Sequence, residues 1–155
     1  MKYISLYEKF KKTQVHDLSG VIIIIDNRIL LVNPQKYKTL GDTWSIPKGH
    51  VEGNTLKSAL RELKEETGIE LHKNYERVLK VKYKKNGILK NLTTYLYRLN
   101  QEDVEKYLKG WDIKKSQFDR DEIHKAKFFK FGKAYMKIED HQRELLDNIS
   151  NYLQE

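Results

Sequence analysis

Arg61, Glu62, Glu65 and Glu66 stand together in RELKEETGI, residues 61–69. If this stretch is a helix, Glu62 lies three residues from Glu65 and four from Glu66. The three carboxylates then project from one side. Like charges at that spacing repel by about 0.2–0.5 kcal/mol unless a cation lies between them. Oxygen ligands clustered in this way suit a hard divalent metal. A bare ExxEE on a surface helix is usually a solvated face. Its weight here comes from the Pro- and Gly-containing loop that precedes it, WSIPKGHVEGN, residues 44–54.

The spacing of apolar residues shows how such a helix is anchored. Leu56, Ala59, Leu60 and Leu63 recur at i, i+3, i+4 and i+7, the stripe of a helix lying on a core. The glutamates lie roughly 100° around from it, so they flank the buried face instead of entering it. Asn54 or Thr55 can cap the start. Gly68 is placed to end the helix in a left-handed conformation.

Other elements supply the platform. Residues 15–32 read as a hairpin: VIIII at 21–25 is a strand buried on both faces, Asp26-Asn27 a turn, and Ile29 to Val32 the return. Residues 33–43 are polar and loop-like. Tyr75 to Leu99 holds two strands around Asn86-Gly87, the strongest hairpin signal in the chain. A short helix is expected around Val104, Tyr107 and Leu108, and a last strand within 122–131. A single helix over 135–153 would carry Ile138, Leu145, Leu146, Ile149 and Leu153 inward. Residues 1–12, with Ile4, Tyr7 and Phe10 three apart, suggest a further helical stripe. Strands interleaved with helices make this an α/β chain, read as one domain over residues 1–155.

Bulk properties narrow the class. The chain has 155 residues, 39% hydrophobic and 34% charged, as a polar globular protein would. It has no Cys, which excludes disulfides, thiolate metal sites and a Cys nucleophile. No run is long enough to span a bilayer and no signal-peptide core is visible, so a cytoplasmic protein without membrane partners is expected. Lys and Arg number 30 against 22 Asp and Glu, a net charge of +8. That balance favours polyanionic partners, though a Lys-rich solvated surface gives the same number.

PKGHVE at 47–52 followed by RELKEETGI at 61–69 resembles the two halves of a Nudix box. The second half matches the family pattern at every position. The first departs from it: eleven residues separate Gly49 from Arg61, where the pattern has thirteen, and the mid-box Glu is missing. The resemblance implies a Nudix α/β/α sandwich with a mixed β-sheet, a catalytic loop-helix and a C-terminal helix. It implies an Mg²⁺- or Mn²⁺-dependent pyrophosphohydrolase that cleaves a phosphoanhydride in a nucleoside diphosphate-linked substrate. Glu62, Glu65 and Glu66 are then metal ligands, joined by a backbone carbonyl of Lys48 or Gly49. Arg61 orients a glutamate through a paired contact that Lys could not make as well, and Arg61 and Glu65 count as catalytic. A further metal-binding or catalytic carboxylate is expected before a late aromatic strand. Glu122 is the first choice and Asp121 the second, while His50 and His124 read as bystanders.

WSIPKGHVE looks most like the branch that includes diadenosine tetraphosphate hydrolases and RNA 5′-pyrophosphohydrolases or decapping enzymes, which act on a 5′ triphosphate or cap. Trp44 and Tyr37 could stack on a base, worth roughly 1–3 kcal/mol, and Lys48 could hold a phosphate. Alternatively, Trp44 starts a strand and belongs to the core. Basic runs at 80–85 and 125–137 suit an RNA backbone or a small polyphosphate. The partners expected are therefore a nucleotide or dinucleoside polyphosphate, or RNA 5′ ends, with the protein a monomer or homodimer. Two other readings stay open. One is a house-cleaning hydrolase of nucleoside triphosphates or diphosphoinositol polyphosphates. The other is a non-catalytic nucleotide- or RNA-binding module, against which the intact glutamate set argues.

Overall fold

The computed structural model describes residues 14–33, 43–109, 111 and 126–155. The expected N-terminal stripe, Tyr37, Asp121, Glu122 and His124 lie outside them. In chain order the described elements are β1 (Val15–Ile25), β2 (Arg28–Val32), β3 (Lys48–His50), α1 (Thr55–Thr67), β4 (Arg77–Lys85), β5 (Ile88–Arg98), α2 (Gln101–Tyr107), β6 (Ala126–Lys130), α3 (Phe131–Lys137) and α4 (Arg143–Leu153). A 3₁₀ turn, Asp140–Gln142, joins α3 to α4.

The six strands form one mixed sheet in the order β4-β5-β1-β2-β6, with β3 also paired to β1. β1 runs parallel to β5 over ten residue pairs, and the other pairings are antiparallel. Strand alternation divides the apolar residues between two layers. Leu18, Ile22 and Ile24 pack with Leu145, Leu146 and Ile149 of α4. Val21, Ile23 and Ile25 pack with Ala59 and Leu63 of α1. The VIIII run is thus buried on both faces, as its composition requires. Fully burying a Leu or Ile side chain is worth about 1.5–3 kcal/mol, so the two layers clamp β1 at the centre of the molecule.

Both hairpin signals hold. Asp26 turns β1 into β2 at φ 53°, while Asn86 and Gly87 join β4 to β5 at φ 53° and 77°. Two successive positive φ values match the tight turn that suits twisted strands.

Two expectations need correction. The closing helix is not continuous from 135 to 153. Ile138 is extended and bridges Trp44, and the Glu139 N–H bonds the Trp44 carbonyl at 2.7 Å. Docking the chain against Trp44 breaks the helix into α3 and α4. Trp44 is itself core: it is 3% exposed and packs edge-on against Phe129. Its faces are spent inside the protein, so it does not stack on a base. No helix among the described residues is long and apolar enough to cross a membrane.

Candidate active site

The site is built where β3 meets the start of α1. Gly53 adopts φ +71° and Asn54 caps the helix, its side chain accepting the Lys57 N–H at 2.9 Å. Ser58 Oγ accepts the Glu52 N–H at 2.9 Å and lies 3.0 and 2.9 Å from the Glu52 and Asn54 carbonyls. The shortened segment is therefore closed by a left-handed glycine, a side-chain cap and a buried serine. At the far end Gly68 stops the helix at φ 80°, its N–H bonded to the Lys64 carbonyl.

The three residues of β3 alternate between two faces. Lys48 and His50 pair with Gly20 and Leu18, so their side chains fall on the α4 face. Gly49 pairs with Ser19 and faces α1. A Cβ there would lie 2.1 Å from Glu62 Cδ, so only glycine lets this carboxylate lie against the strand. In the plane of the sheet, Val21 N–H bonds Pro47 O and Val51 N–H bonds Asp17 O. Antiparallel alternation then turns the Gly49 carbonyl toward β1 and the Lys48 carbonyl outward. On that outer edge Glu66 accepts the Lys48 N–H, and Arg61 donates to the His50 carbonyl at 3.5 Å. Of the two backbone ligands expected, Lys48 has its carbonyl on the glutamate side. Gly49 does not, because its carbonyl belongs to the β1 ladder.

Arg61 links the carboxylates. It contacts Glu52 Oε2 at 2.9 Å, Glu62 Oε1 at 3.4 Å and Glu65 Oε1 at 3.8 Å. Glu66 keeps contact with solvent, yet enough protein surrounds its carboxyl to push its pKa up to about 8. Desolvation is the main cause, followed by the charge of Glu62 and, more weakly, that of Glu65; Lys48 opposes them. A carboxyl held protonated near neutral pH beside two others is one that a cation can occupy in place of the proton. Among the described residues no three His, Asp or Glu side chains converge as a preformed metal cluster. Glu62 and Glu65 instead lie 3.4 and 3.8 Å from the Arg61 guanidinium. The all-oxygen donor set, the glycine cradle and the proton held by Glu66 fit a hard divalent ion.

Across β3 lies a cavity of about 310 Å³ lined by Leu18, Lys48, His50, Tyr83, Lys85 and Lys90 among others. His16 Nδ1 is 3.0 Å from Lys90 Nζ, and its ring meets His50 edge-on. Desolvation, then the charges of Lys90 and His50, hold the His16 imidazole below its ordinary pKa. A neutral His16 can accept from the Lys90 ammonium. Lys85 pairs with Glu139 at 2.6 Å. Burial works to raise the Glu139 pKa, but the hydrogen bond and charge of Lys85 hold it below the usual carboxylate range. Lys90, His16 and Glu52 were not singled out from the sequence. The Asn86-Gly87 turn does pair Tyr83 with Lys90 and Lys85 with Ile88, which puts all four on one face; that signal was available. The parallel β1–β5 pairing that carries Leu18 to them, and the β1–β3 pairing that brings His50, are not local.

A family model for the NUDIX domain matches residues 16–149. The chain belongs to the Nudix family. Its fold is shared with the Ap4A hydrolase of C. elegans at 22% identity and TM-score 0.64, over 90% of this chain and 99% of that one. The E. coli ORF135 protein aligns at 18% identity and TM-score 0.62, covering 91% and 92% of the two chains. A mutT/nudix family protein from Listeria innocua aligns at 18% and 0.55, over 92% and 96%. A search of curated proteins finds no match. As a Nudix hydrolase the chain acts on pyrophosphate bonds, and the family generally employs divalent metals and nucleotide substrates.

Proposed function

We propose that this Nudix domain is an Mg²⁺- or Mn²⁺-dependent pyrophosphohydrolase whose substrates carry an extended polyphosphate. Dinucleoside polyphosphates and RNA 5′ ends are the first candidates. The observation that carries the reading is the charge division at β3: glutamates on one side, and a cavity with Lys48, Lys85, Lys90 and His50 on the other. A polyphosphate lying along the strand meets cations for its bridging phosphates and carboxylates for a metal at the bond to be cut. Glu62, Glu65, Glu66 and the Lys48 carbonyl would hold the ion, which supplies charge neutralisation and an activated water. Arg61 fixes the direction of Glu62 and Glu65. Glu122 is proposed as the additional carboxylate from its place in the sequence.

Base recognition has less support than phosphate recognition. Among the described residues, Trp44 is buried and Tyr83, beside the cavity, stacks on His141 with ring centroids 5.2 Å apart. The cations lining the cavity favour substrates distinguished by phosphate number. The C. elegans neighbour, named as an Ap4A hydrolase, agrees with that class. The test is a panel of diadenosine tetraphosphate, 5′-triphosphorylated RNA, nucleoside triphosphates, ADP-ribose and diphosphoinositol polyphosphate, each with Mg²⁺ and Mn²⁺. Turnover is expected to be highest on the four-phosphate dinucleotide or the RNA 5′ end. Exclusive turnover of nucleoside triphosphates would overturn the substrate class, and no turnover of any of them would favour the binding module.

A further inference from the structure

We infer that Glu52, in the shortened segment before α1, is a positioning residue. It holds Arg61 in register with the metal-binding glutamates. The inference rests on the metal-site reading above.

Three observations carry it. First, the backbone of Glu52 is stapled to the opening turn of α1: its N–H bonds Ser58 Oγ at 2.9 Å, and its carbonyl lies 3.0 Å from the same oxygen. Its side chain then reaches one turn further, to Arg61 NH1 at 2.9 Å. Glu52 is thus fixed at both ends to one helix. Second, this is the shortest of the three contacts Arg61 makes with carboxylates. One guanidinium nitrogen goes to Glu52, another faces Glu62 and the His50 carbonyl, and Nε faces Glu65. A guanidinium is planar, so fixing NH1 fixes the directions of its other donors. Third, the side chains of Glu52 and Arg61 are 73% and 38% exposed. Ion pairs that open to water add little stability, so fold maintenance is a poor account of this one.

The consequence concerns competition. Arg61 held by Glu52 touches Glu62 and Glu65 only at longer range, leaving their oxygens available to a cation. Without Glu52, Arg61 collapses onto those two carboxylates and competes with the metal.

Glu52→Gln keeps the side-chain length and both backbone bonds while removing the charge. Mn²⁺ binding to the metal-free full chain, read by electron paramagnetic resonance, is expected to weaken about tenfold. With diadenosine tetraphosphate as the probe substrate, kcat falls about 10- to 100-fold with KM nearly unchanged, and the thermal midpoint stays put. In an Arg61→Lys background the same substitution has no further effect on Mn²⁺ affinity, because the two residues act as one unit. If the midpoint does move, Glu52→Asp serves instead, retaining the charge but withdrawing it from the guanidinium. Unchanged Mn²⁺ affinity in Glu52→Gln, with Glu66→Gln still abolishing binding, would overturn the role of Glu52 and leave the metal site standing. An undiminished loss in the Arg61→Lys background would also overturn it, because Glu52 would then act on the metal directly. Absence of Mn²⁺ binding in the wild type would instead remove the metal site itself.

Discussion

The two sides of β3 differ in charge, and three residues produce the difference. On the α1 side Gly49 offers no side chain, Glu62 fills the space it leaves, and Glu66 takes the Lys48 N–H. On the α4 side Lys48 and His50 face a cavity ringed by Lys85 and Lys90. A strand places successive side chains on opposite faces, so Lys-Gly-His can serve both at once. A polyanion and a metal cation need opposite surroundings, and the two faces of β3 lean opposite ways, although Glu139 pairs with Lys85 on the cation side and Arg61 sits among the glutamates.

The division can be broken from either side. The largest loss is expected on the carboxylate side. Glu66→Gln or Glu65→Gln should lower kcat by about 10²–10³ or more, since the metal supplies most of the charge stabilisation. Circular dichroism should stay native. Activity near wild type in both variants would refute the assignment. Gly49→Ala should follow. The new methyl meets the Glu62 side chain from Cγ outward, so the carboxylate must swing away from the strand, taking a ligand with it. Metal affinity should drop about 10- to 100-fold with only a small shift in thermal midpoint. On the cation side, Lys90→Ala should act mainly through KM, by roughly tenfold or less for one charge-assisted phosphate contact. A change in kcat with KM constant would place Lys90 on the wrong side of the division.

The same division marks how far the sequence could be read. Everything local to α1 was legible: the stripe of Ala59 and Leu63, the Asn54 cap, the Gly68 stop and the one-sided glutamates. These follow from a fixed helical period. The Asn86-Gly87 hairpin was equally plain. The cation side was legible only in part: Lys48 and the basic run at 80–85 stood out, but their meeting with Leu18 and His50 depends on β1 running parallel to β5, which no turn or periodicity announces. Trp44 shows the same limit: its neighbours Phe129 and Ile138 are far along the chain, and their packing decides that it is core. The break between α3 and α4 has the same origin. The shortened loop was visible as a deletion, but its closure through Gly53, Ser58 and the Glu52–Arg61 pair rests on contacts that no local signal announces.

Glu66 offers the most direct measurement. Its pKa is raised from the ordinary carboxylate value to about 8 in the folded, metal-free chain. Between those values the folded state holds a proton that the unfolded state has released. Stability of the metal-free protein therefore falls as pH rises across that window. A divalent ion should displace the proton. Calorimetric titration of the metal-free protein with Mn²⁺ at pH 7, in buffers of different ionisation enthalpy, reads that proton directly. The prediction is release of close to one proton per first Mn²⁺ bound, with binding and release both lost in Glu66→Gln. Equal Mn²⁺ affinity in wild type and Glu66→Gln, with no proton released in either, would contradict the assignment of this helix as the metal-binding side of the site.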